Sequence, residues 1–434
     1  MSYFSDTAQA ELNKKKRLIF LLLAAVLLLG AWLRIDFNVS VDHKVSQDTK
    51  NYDMMVRQLL EKGVYGYEYK KPSGEPNARV TPGFPILMAA VYKMVDYKVN
   101  DPYPYIRFAN VFMSLTMVYL MYLIGSMLSN RWGGLAAAFV GAIYPAFVWT
   151  TGAILTETMA ACFLVLYVYL LLLGFRKNSS WLMAASGVAL GITVLTRTEF
   201  LPIFILMHIL ILLWSRDWKK SLRFVIVAGL GLAITLSPWV IRNFVTFDKL
   251  IVSSTQVNPF AAGTYPNKNY DDGLVDRKDK TQMEVAKERL RIGFTEHTWT
   301  FVKWYTVGKI QYTYGRPFGG SGHTPWYPVI PNVLKMPFHL AIMAVGFVAM
   351  LYMLFRWRHQ ASALALIVAS MSTLRLLFIP ETRYNFTAMP LLIVMGSVFA
   401  VIVVQAVVNR GNKRETDKIK HKEETANENP AAAH

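Results

Sequence analysis

Apolar residues in this chain are gathered into long runs separated by short polar connections. Runs of about 16 to 24 residues, enough to cross a bilayer, occupy 18–34, 105–128, 133–149, 154–175, 180–196, 198–214, 221–243, 334–355, 361–379 and 386–408. The pattern predicts an all-α integral membrane protein with about ten transmembrane helices. The first run follows Lys14-Lys15-Lys16-Arg17 in the manner of a secretory signal, but no small-residue cleavage site comes after it. A retained first helix is the expectation.

An even number of crossings puts both termini on one side, and the charges of the short connections say which. Arg131, Arg176, Lys177, Arg216, Lys219, Lys220, Arg223, Arg356, Arg358, Arg410, Lys413 and Arg414 all fall on the side of Lys14–Arg17. Short connections on the other side carry Arg197 and Arg383. The positive-inside rule then predicts a multi-pass protein of the cell membrane with both termini cytoplasmic. The apolar stretch 84–95, bounded by Pro82, Pro85, Lys93 and Asp96, is too short for a crossing and reads as an interfacial or re-entrant helix on the outer side.

Two long segments remain outside, 35–104 and 244–333. In the first, Tyr52, Met55, Val56, Leu59 and Leu60 follow a helical spacing while Lys50, Arg57, Glu61 and Lys62 stay polar. That predicts a helix lying on the bilayer, with Asp48 near its start and Gly63 near its end. The second opens with turn-forming sequence, enters a helix near Gln282, and ends in Trp299, Phe301, Trp304, Tyr305, Tyr312 and Tyr314 with Lys303 and Lys309, an interfacial belt by composition. The chain divides accordingly into a cytoplasmic N-terminus (1–17), a membrane module with its first external loop (18–243), an external region (244–333), C-terminal membrane helices (334–408) and a basic cytoplasmic tail (409–434), polar enough from Lys413 to His434 to be disordered.

Composition supports this reading: 54% of residues are hydrophobic, 17% are charged and the mean hydropathy is +0.30. A formal net charge of +18 would suit nucleic acid, but the basic residues lie at span ends and on loops, with no compact basic domain, so a nucleic-acid partner is not expected. Cys162, the single cysteine, sits inside an apolar run. It excludes an intramolecular disulfide and a cysteine metal site. His43, His297 and His323 are external but far apart, and Gly319-Gly320-Ser321-Gly322 before Pro325 lacks the Lys-Ser/Thr of a phosphate loop.

Several charged residues sit where chemistry could occur. Asp48 lies among Asp36, Asp42 and Asp53 in the first external segment, and by position alone it is a surface carboxylate. Glu157, in Leu155-Thr156-Glu157-Thr158, falls within one turn of the outer end of a span. A carboxylate at hydrocarbon depth costs roughly 2.5 to 3.5 kcal/mol, so it needs a polar cavity or a partner. Arg197, Arg242, Arg375 and Arg383 all fall near outer span ends. Each alone reads as an anchor or as a partner of Glu199 or Glu381. Together, four guanidinium groups on the less basic face suit an anion, and phosphate is the obvious one.

The ordered set of motifs resembles a known family. Asp48-x3-Tyr52 with Leu59-Leu60-x2-Gly63-x-Tyr65, Arg79-Val80-Thr81-Pro82-Gly83-Phe84-Pro85, Thr156-Glu157, Leu195-Thr196-Arg197, Pro238-Trp239-x2-Arg242-Asn243 followed by Val252-Ser253-Ser254-Thr255, and Arg383-Tyr384 with Pro390 are similar to bacterial integral membrane glycosyltransferases of the GT-C fold. Within that fold the motifs resemble the protein-O-mannosyltransferase-like group of glycosyltransferase family 39, which includes the lipid A aminoarabinose transferase. The resemblance runs from about Leu18 to Pro390 and implies transfer of a sugar from a polyprenyl-phosphate carrier to a lipid, glycan or protein acceptor on the extracytoplasmic face.

By that resemblance Asp48 is the general base; Glu157, by its position at the outer end of a span, is a second catalytic candidate. Arg242, Arg383 and Arg197 are candidates for the donor phosphate, and Tyr52, Arg79 and Tyr384 for the substrate pocket. The chain departs from the family pattern at Thr49, where many relatives carry a second acid, and at Val56, where they have Ala. Thr49 leaves an acidic pair incomplete, and a divalent metal stays an open cofactor. A positioned carboxylate that takes the proton of an acceptor hydroxyl contributes about 10²- to 10⁴-fold, while the leaving phosphate needs fixed cations. Direct displacement inverts the anomeric centre. The competing class is a polytopic lipid or sugar transporter or flippase, which predicts inverted repeats and helices broken near the midplane; here the punctuating residues cluster at the outer face.

Overall fold

The computed structural model describes residues 2–254, 257–319, 327, 329 and 331–428, which form helices and connecting turns with no strand among them. In chain order the described helices are α1 (Ser2–Ser40), α2 (Gln47–Lys62), α3 (Gly83–Met94), α4 (Tyr103–Leu128), α5 (Arg131–Ile143), α6 (Pro145–Trp149), α7 (Glu157–Lys177), α8 (Ser180–Thr196), α9 (Ile203–Ser215) and α10 (Trp218–Phe247). They continue with α11 (Val257–Ala262), α12 (Gln282–Thr295), α13 (Thr298–Lys303), α14 (Lys309–Tyr314), α15 (Asn332–Phe355), α16 (Ser362–Arg375) and α17 (Met389–Glu428).

Among the described residues, seven segments are long and apolar enough to cross a membrane: Asn13–Ser40, Tyr103–Leu128, Glu157–Lys177, Thr198–Ser215, Trp218–Phe247, Val333–Phe355 and Met389–Arg410. The protein is a multi-pass membrane protein. An eighth crossing exists if Arg131–Ile143 and Pro145–Gly152, bent by 58°, form one broken span. The other two expected crossings are α8, of 17 residues, and α16, of 14. At about 1.5 Å per residue both fall short of a hydrocarbon core about 30 Å thick. Length and composition therefore support seven or eight crossings where the apolar runs suggest ten.

The bend has a local cause. Pro145 opens α6, and Tyr144 before it is extended (φ −66°, ψ 118°), as steric conflict with a following proline favours. The break leaves carbonyls at the end of α5 without a helical partner. Arg34 of α1, fully buried, supplies donors: Nη1 to Ala142 O at 2.9 Å, Nη2 to Gly141 O at 3.2 Å and Nε to Ser114 Oγ at 2.9 Å. A charge in the bilayer region is thus spent on repairing a broken helix.

Two helices approach closely because a side chain is missing. A Cβ on Gly187 of α8 would lie 1.9 Å from the Ala228 carbonyl oxygen of α10, the small-residue contact that lets membrane helices meet along their backbones. At the end of α8 that carries Arg197, Gly83 plays the same part for α3, since a Cβ there would sit 2.8 Å from Leu195 O.

The helix expected to lie on the bilayer is α2. Ser46 caps it by accepting from Thr49 N at 3.1 Å, and Gly63 ends it at φ 68°. Its apolar face meets protein, however. Val56 packs in the main core with Phe84, and Met55 with Tyr65 and Trp239. Asp53 fixes the other side, accepting from Arg57 Nε at 3.0 Å and from Tyr92 of α3 at 2.6 Å. Between α11 and α13, α12 begins at Gln282, with a capping box between Thr281 and Glu284. The aromatic belt is only partly at the surface. Trp299 is exposed, whereas Phe301 of α13, Trp304 between the two helices and Tyr314 of α14 are buried. The last helix runs on to Glu428, through sequence expected to be disordered; its Lys, Glu and Ala content favours helix.

The basic connections meet at one end of the bundle. Arg176 Nε donates to Gln360 Oε1 at 2.5 Å, Arg223 Nη2 to Asn178 Oδ1 at 2.6 Å and Trp214 Nε1 to Trp357 O at 2.8 Å. The opposite helix ends, where α7 begins and α8 and α16 finish, carry the charged residues described next.

Candidate active site

Asp48 stands in the first turn of α2, where the helix dipole favours a carboxylate. Buried Thr49 beside it bonds Ile154 O at 3.3 Å, which ties this turn to the loop entering α7. The Asp48 carboxylate Oδ2 accepts from Arg383 Nη1 at 3.3 Å, and both side chains keep about half their surface exposed. They lie in a cleft of about 500 Å³ whose other walls include Ser46, Asn258, Phe318, Glu381 and Tyr384. Asn258 of α11 and Phe318 thus supply one wall and the start of α2 another.

Behind Arg383 is a chain of ion pairs. Glu157, 1% exposed at the start of α7, accepts from Arg197 Nη1 at 3.0 Å. Arg197 Nε donates to Glu199 Oε1 at 3.0 Å, and Arg375 Nη2 reaches the same oxygen at 2.9 Å. Arg375 also donates to Tyr384 O and to Thr387 Oγ1. The Tyr384 ring has the guanidiniums of Arg197, Arg375 and Arg383 at 5.5, 5.6 and 5.7 Å from its centroid. Asp48, Glu157 and Glu199 against Arg197, Arg375 and Arg383 make three carboxylates and three guanidiniums.

Electrostatics follow from this crowding. Burial alone would lower the Arg383 pKa, but Glu157, Tyr384 and Asp48 outweigh it and raise it above the usual arginine range. Arg197 is raised likewise, with burial opposed by Glu199 and Glu157. Burial, then Glu157, pushes the Tyr52 phenol up, and burial does the same for Tyr67. Both tyrosines stay neutral hydroxyls beside the cleft.

The structure brings together Asp48, Arg383 and Tyr384 in one cleft, with Glu157 and Arg197 immediately behind and Tyr52 within electrostatic reach. Arg242 and Arg79 are elsewhere. The Arg242 guanidinium donates to Asn77 O at 3.2 Å and Tyr65 O at 2.9 Å, and it lies 4.9 Å from the Trp239 ring. Its fork is occupied by backbone carbonyls of the loop between α2 and α3. Arg79, exposed, pairs with Glu68 at 2.8 Å. Arg375 and Glu199 carry more of the site than their sequence context suggests. Their pairing joins residues 176 positions apart, which no local spacing reports.

Among the described residues no three His, Cys, Asp or Glu side chains converge as metal ligands. His43 packs edge-on against Phe37, and His297 precedes α13. His323 and the Gly320-Ser321-Gly322 and Pro325 positions lie outside the described residues, as does Thr255.

Known proteins share this arrangement of helices. The oligosaccharyltransferase AglB from Archaeoglobus fulgidus, solved with an inhibitory peptide and a dolichol-phosphate, superimposes with a TM-score of 0.57 at 15% identity, covering 92% of this chain and 52% of that one. ArnT from Cupriavidus metallidurans, solved bound to undecaprenyl phosphate, gives 0.53 at 15% identity, covering 90% and 63%. The fold is that of the GT-C glycosyltransferases.

A third GT-C structure, AglB from the same organism tethered to an acceptor peptide, gives a TM-score of 0.58 at 16% identity, covering 91% of this chain and 51% of that one. The chain spans about half the length of the AglB structures it matches. Residues 80–241 match the family model described as dolichyl-phosphate-mannose-protein mannosyltransferase. No curated protein matches the chain in sequence. The matched GT-C segment contains Glu157, Arg197 and Glu199, whereas Asp48, Arg375 and Arg383 lie outside it.

Proposed function

We propose that this chain is a membrane glycosyltransferase that moves a sugar from a polyprenyl-phosphate carrier to an acceptor at the extracytoplasmic face, by displacement with inversion. The observation that carries the reading is the meeting of Asp48 and Arg383, 3.3 Å apart in a cleft of about 500 Å³, far from the end of the bundle where the basic loops gather. One supplies a proton acceptor and the other a fixed cation, the two groups that transfer from a lipid phosphate requires.

In this mechanism the donor phosphate takes the Arg383 guanidinium, with Arg197 behind it, and so releases Asp48. The freed carboxylate accepts the proton of an acceptor hydroxyl as its oxygen attacks the anomeric carbon. The bond from that carbon to the phosphate oxygen breaks, and the electron pair leaves on the polyprenyl phosphate, whose charge the guanidiniums stabilise. Tyr52, a neutral phenol, and Tyr384 are close by and offer hydroxyls and ring faces for the sugar. Arg242 serves by holding the loop over Tyr65 and Asn77 in shape, and Arg79 is assigned no contact with substrate.

Support from fold comes from the three GT-C structures and from the family match over 80–241. The experiment is to supply purified protein in detergent with a panel of polyprenyl-phosphate sugars and candidate lipid, glycan and peptide acceptors, and to weigh the products by mass spectrometry. A glycosylated acceptor together with free polyprenyl phosphate supports the reading. Movement of lipid across proteoliposomes with no product from any donor would replace it with the transporter class.

A further inference from the structure

The carboxylate of Glu199 has no place in the chemistry above, yet two guanidiniums near the cleft share it. Its Oε1 accepts from Arg197 at 3.0 Å and from Arg375 at 2.9 Å. Both guanidiniums sit against the Tyr384 ring on which Arg383 also rests. Glu157, which unlike the partly exposed Glu199 is fully buried, holds the other arm of Arg197 and is the largest attractive influence on Arg383.

A site that only had to bind a lipid phosphate would do best with its arginines unopposed. Here three guanidiniums are met by three carboxylates, and two of those acids, Glu157 and Glu199, do not line the cleft. Uniform tightening of substrate and product binding gives no gain in turnover, and a product held too firmly slows its own release. The leaving group in this reaction carries more negative charge than the donor that delivered it. Excess positive charge would favour the product above all.

We propose that Glu199 is a positioning residue that sets the phosphate affinity of the cleft: by neutralising Arg197 and Arg375 it keeps the polyprenyl phosphate product releasable. Glu157 acts in the same way on Arg197 and Arg383. This inference rests on the proposed transferase reading, because it assumes that a lipid phosphate is what Arg383 receives.

The test measures binding of undecaprenyl phosphate to the full chain in detergent, together with steady-state turnover. Glu199→Gln keeps the shape and removes one negative charge. It should bind undecaprenyl phosphate about tenfold more tightly, because a charge paired with Arg197 and Arg375 in a partly buried site is weakly screened. It should also lower kcat while lowering KM, with product release as the slow step. A merely structural role predicts the reverse, weaker binding with a raised KM.

Glu199→Asp keeps the charge and should stay near the wild-type affinity. The double variant Glu199→Gln/Arg375→Gln restores the charge balance and should return the affinity toward wild type. Should Glu199→Gln fail to fold, Glu157→Gln makes the same prediction from the other acid. Unchanged or weaker binding in the folded variants overturns the inference. Failure of the wild-type protein to bind undecaprenyl phosphate at all would instead remove the reading on which it stands.

Discussion

Arg383 Nη1 donates to Asp48 Oδ2 across 335 residues of sequence, at 3.3 Å, and the pair is about half exposed to the cleft. An ion pair this exposed contributes little to stability, about 0 to 1 kcal/mol. Its value is in what each partner does when the other lets go. Asp48→Asn should therefore abolish transfer, by at least about 10²-fold, with thermal stability unchanged and undecaprenyl phosphate binding retained or improved. Turnover by single-turnover assay and binding to the purified variant check this. Near-normal turnover would remove Asp48 as the base.

Arg383→Ala should weaken both lipid-phosphate binding and kcat. Loss of a charged hydrogen bond and of oxyanion stabilisation together set the scale at about 10²- to 10³-fold in kcat. Arg383→Lys keeps the charge but loses the planar fork and should recover only part of the loss. Kinetics unchanged in a correctly folded Arg383→Ala would move the phosphate elsewhere.

Arg242→Ala should act on the fold. Its guanidinium satisfies the carbonyls of Asn77 and Tyr65 and packs on Trp239, so truncation leaves backbone acceptors unpaired at about 1 to 3 kcal/mol each. The expected result is a lowered Tm and faster proteolysis within 65–80, with KM affected more than kcat. A large kcat loss at unchanged Tm would return Arg242 to the phosphate site.

Lys309 makes stability depend on pH. It is 1% exposed, its Nζ donates to Leu376 O at 2.6 Å, and it lies 3.7 Å from the Tyr305 ring centroid with Trp304 also beside it. Burial pulls its pKa down to about 7. Between that value and the ordinary lysine value of 10.5 the unfolded chain binds a proton that the folded chain does not. Stability from this group therefore rises with pH through that window, and below about 7 its cost is fully present. The Tm of the wild type relative to Lys309→Met should climb between pH 7 and 9.5. Parallel Tm curves would count against a depressed pKa.

Orientation is open to direct labelling. With Cys162 replaced, single cysteines at exposed Glu75 and Lys278 should react with an impermeant thiol reagent from outside intact cells, and one at exposed Lys219 should not. The reverse pattern would put the cleft on the cytoplasmic side.

The two ends of α2 show how much was written locally. Ser46 and Gly63 bound the helix because a hydroxyl caps the first turn and a left-handed residue ends the last, and both are properties of a few neighbouring residues. The apolar runs were legible for the same reason, since a membrane span must satisfy its backbone within itself. Which charges meet was decided by tertiary structure. Asp48 and Arg383 come from opposite ends of the chain, Glu199 finds Arg375 only because α8 and α16 finish at the same end, and Arg242, equally promising in its motif, has its donors taken by backbone carbonyls. An arginine at a span end looks the same in sequence whether it faces a cleft or a loop. The difference is which unpaired acceptors the folded chain brings within about 3 Å of its fork.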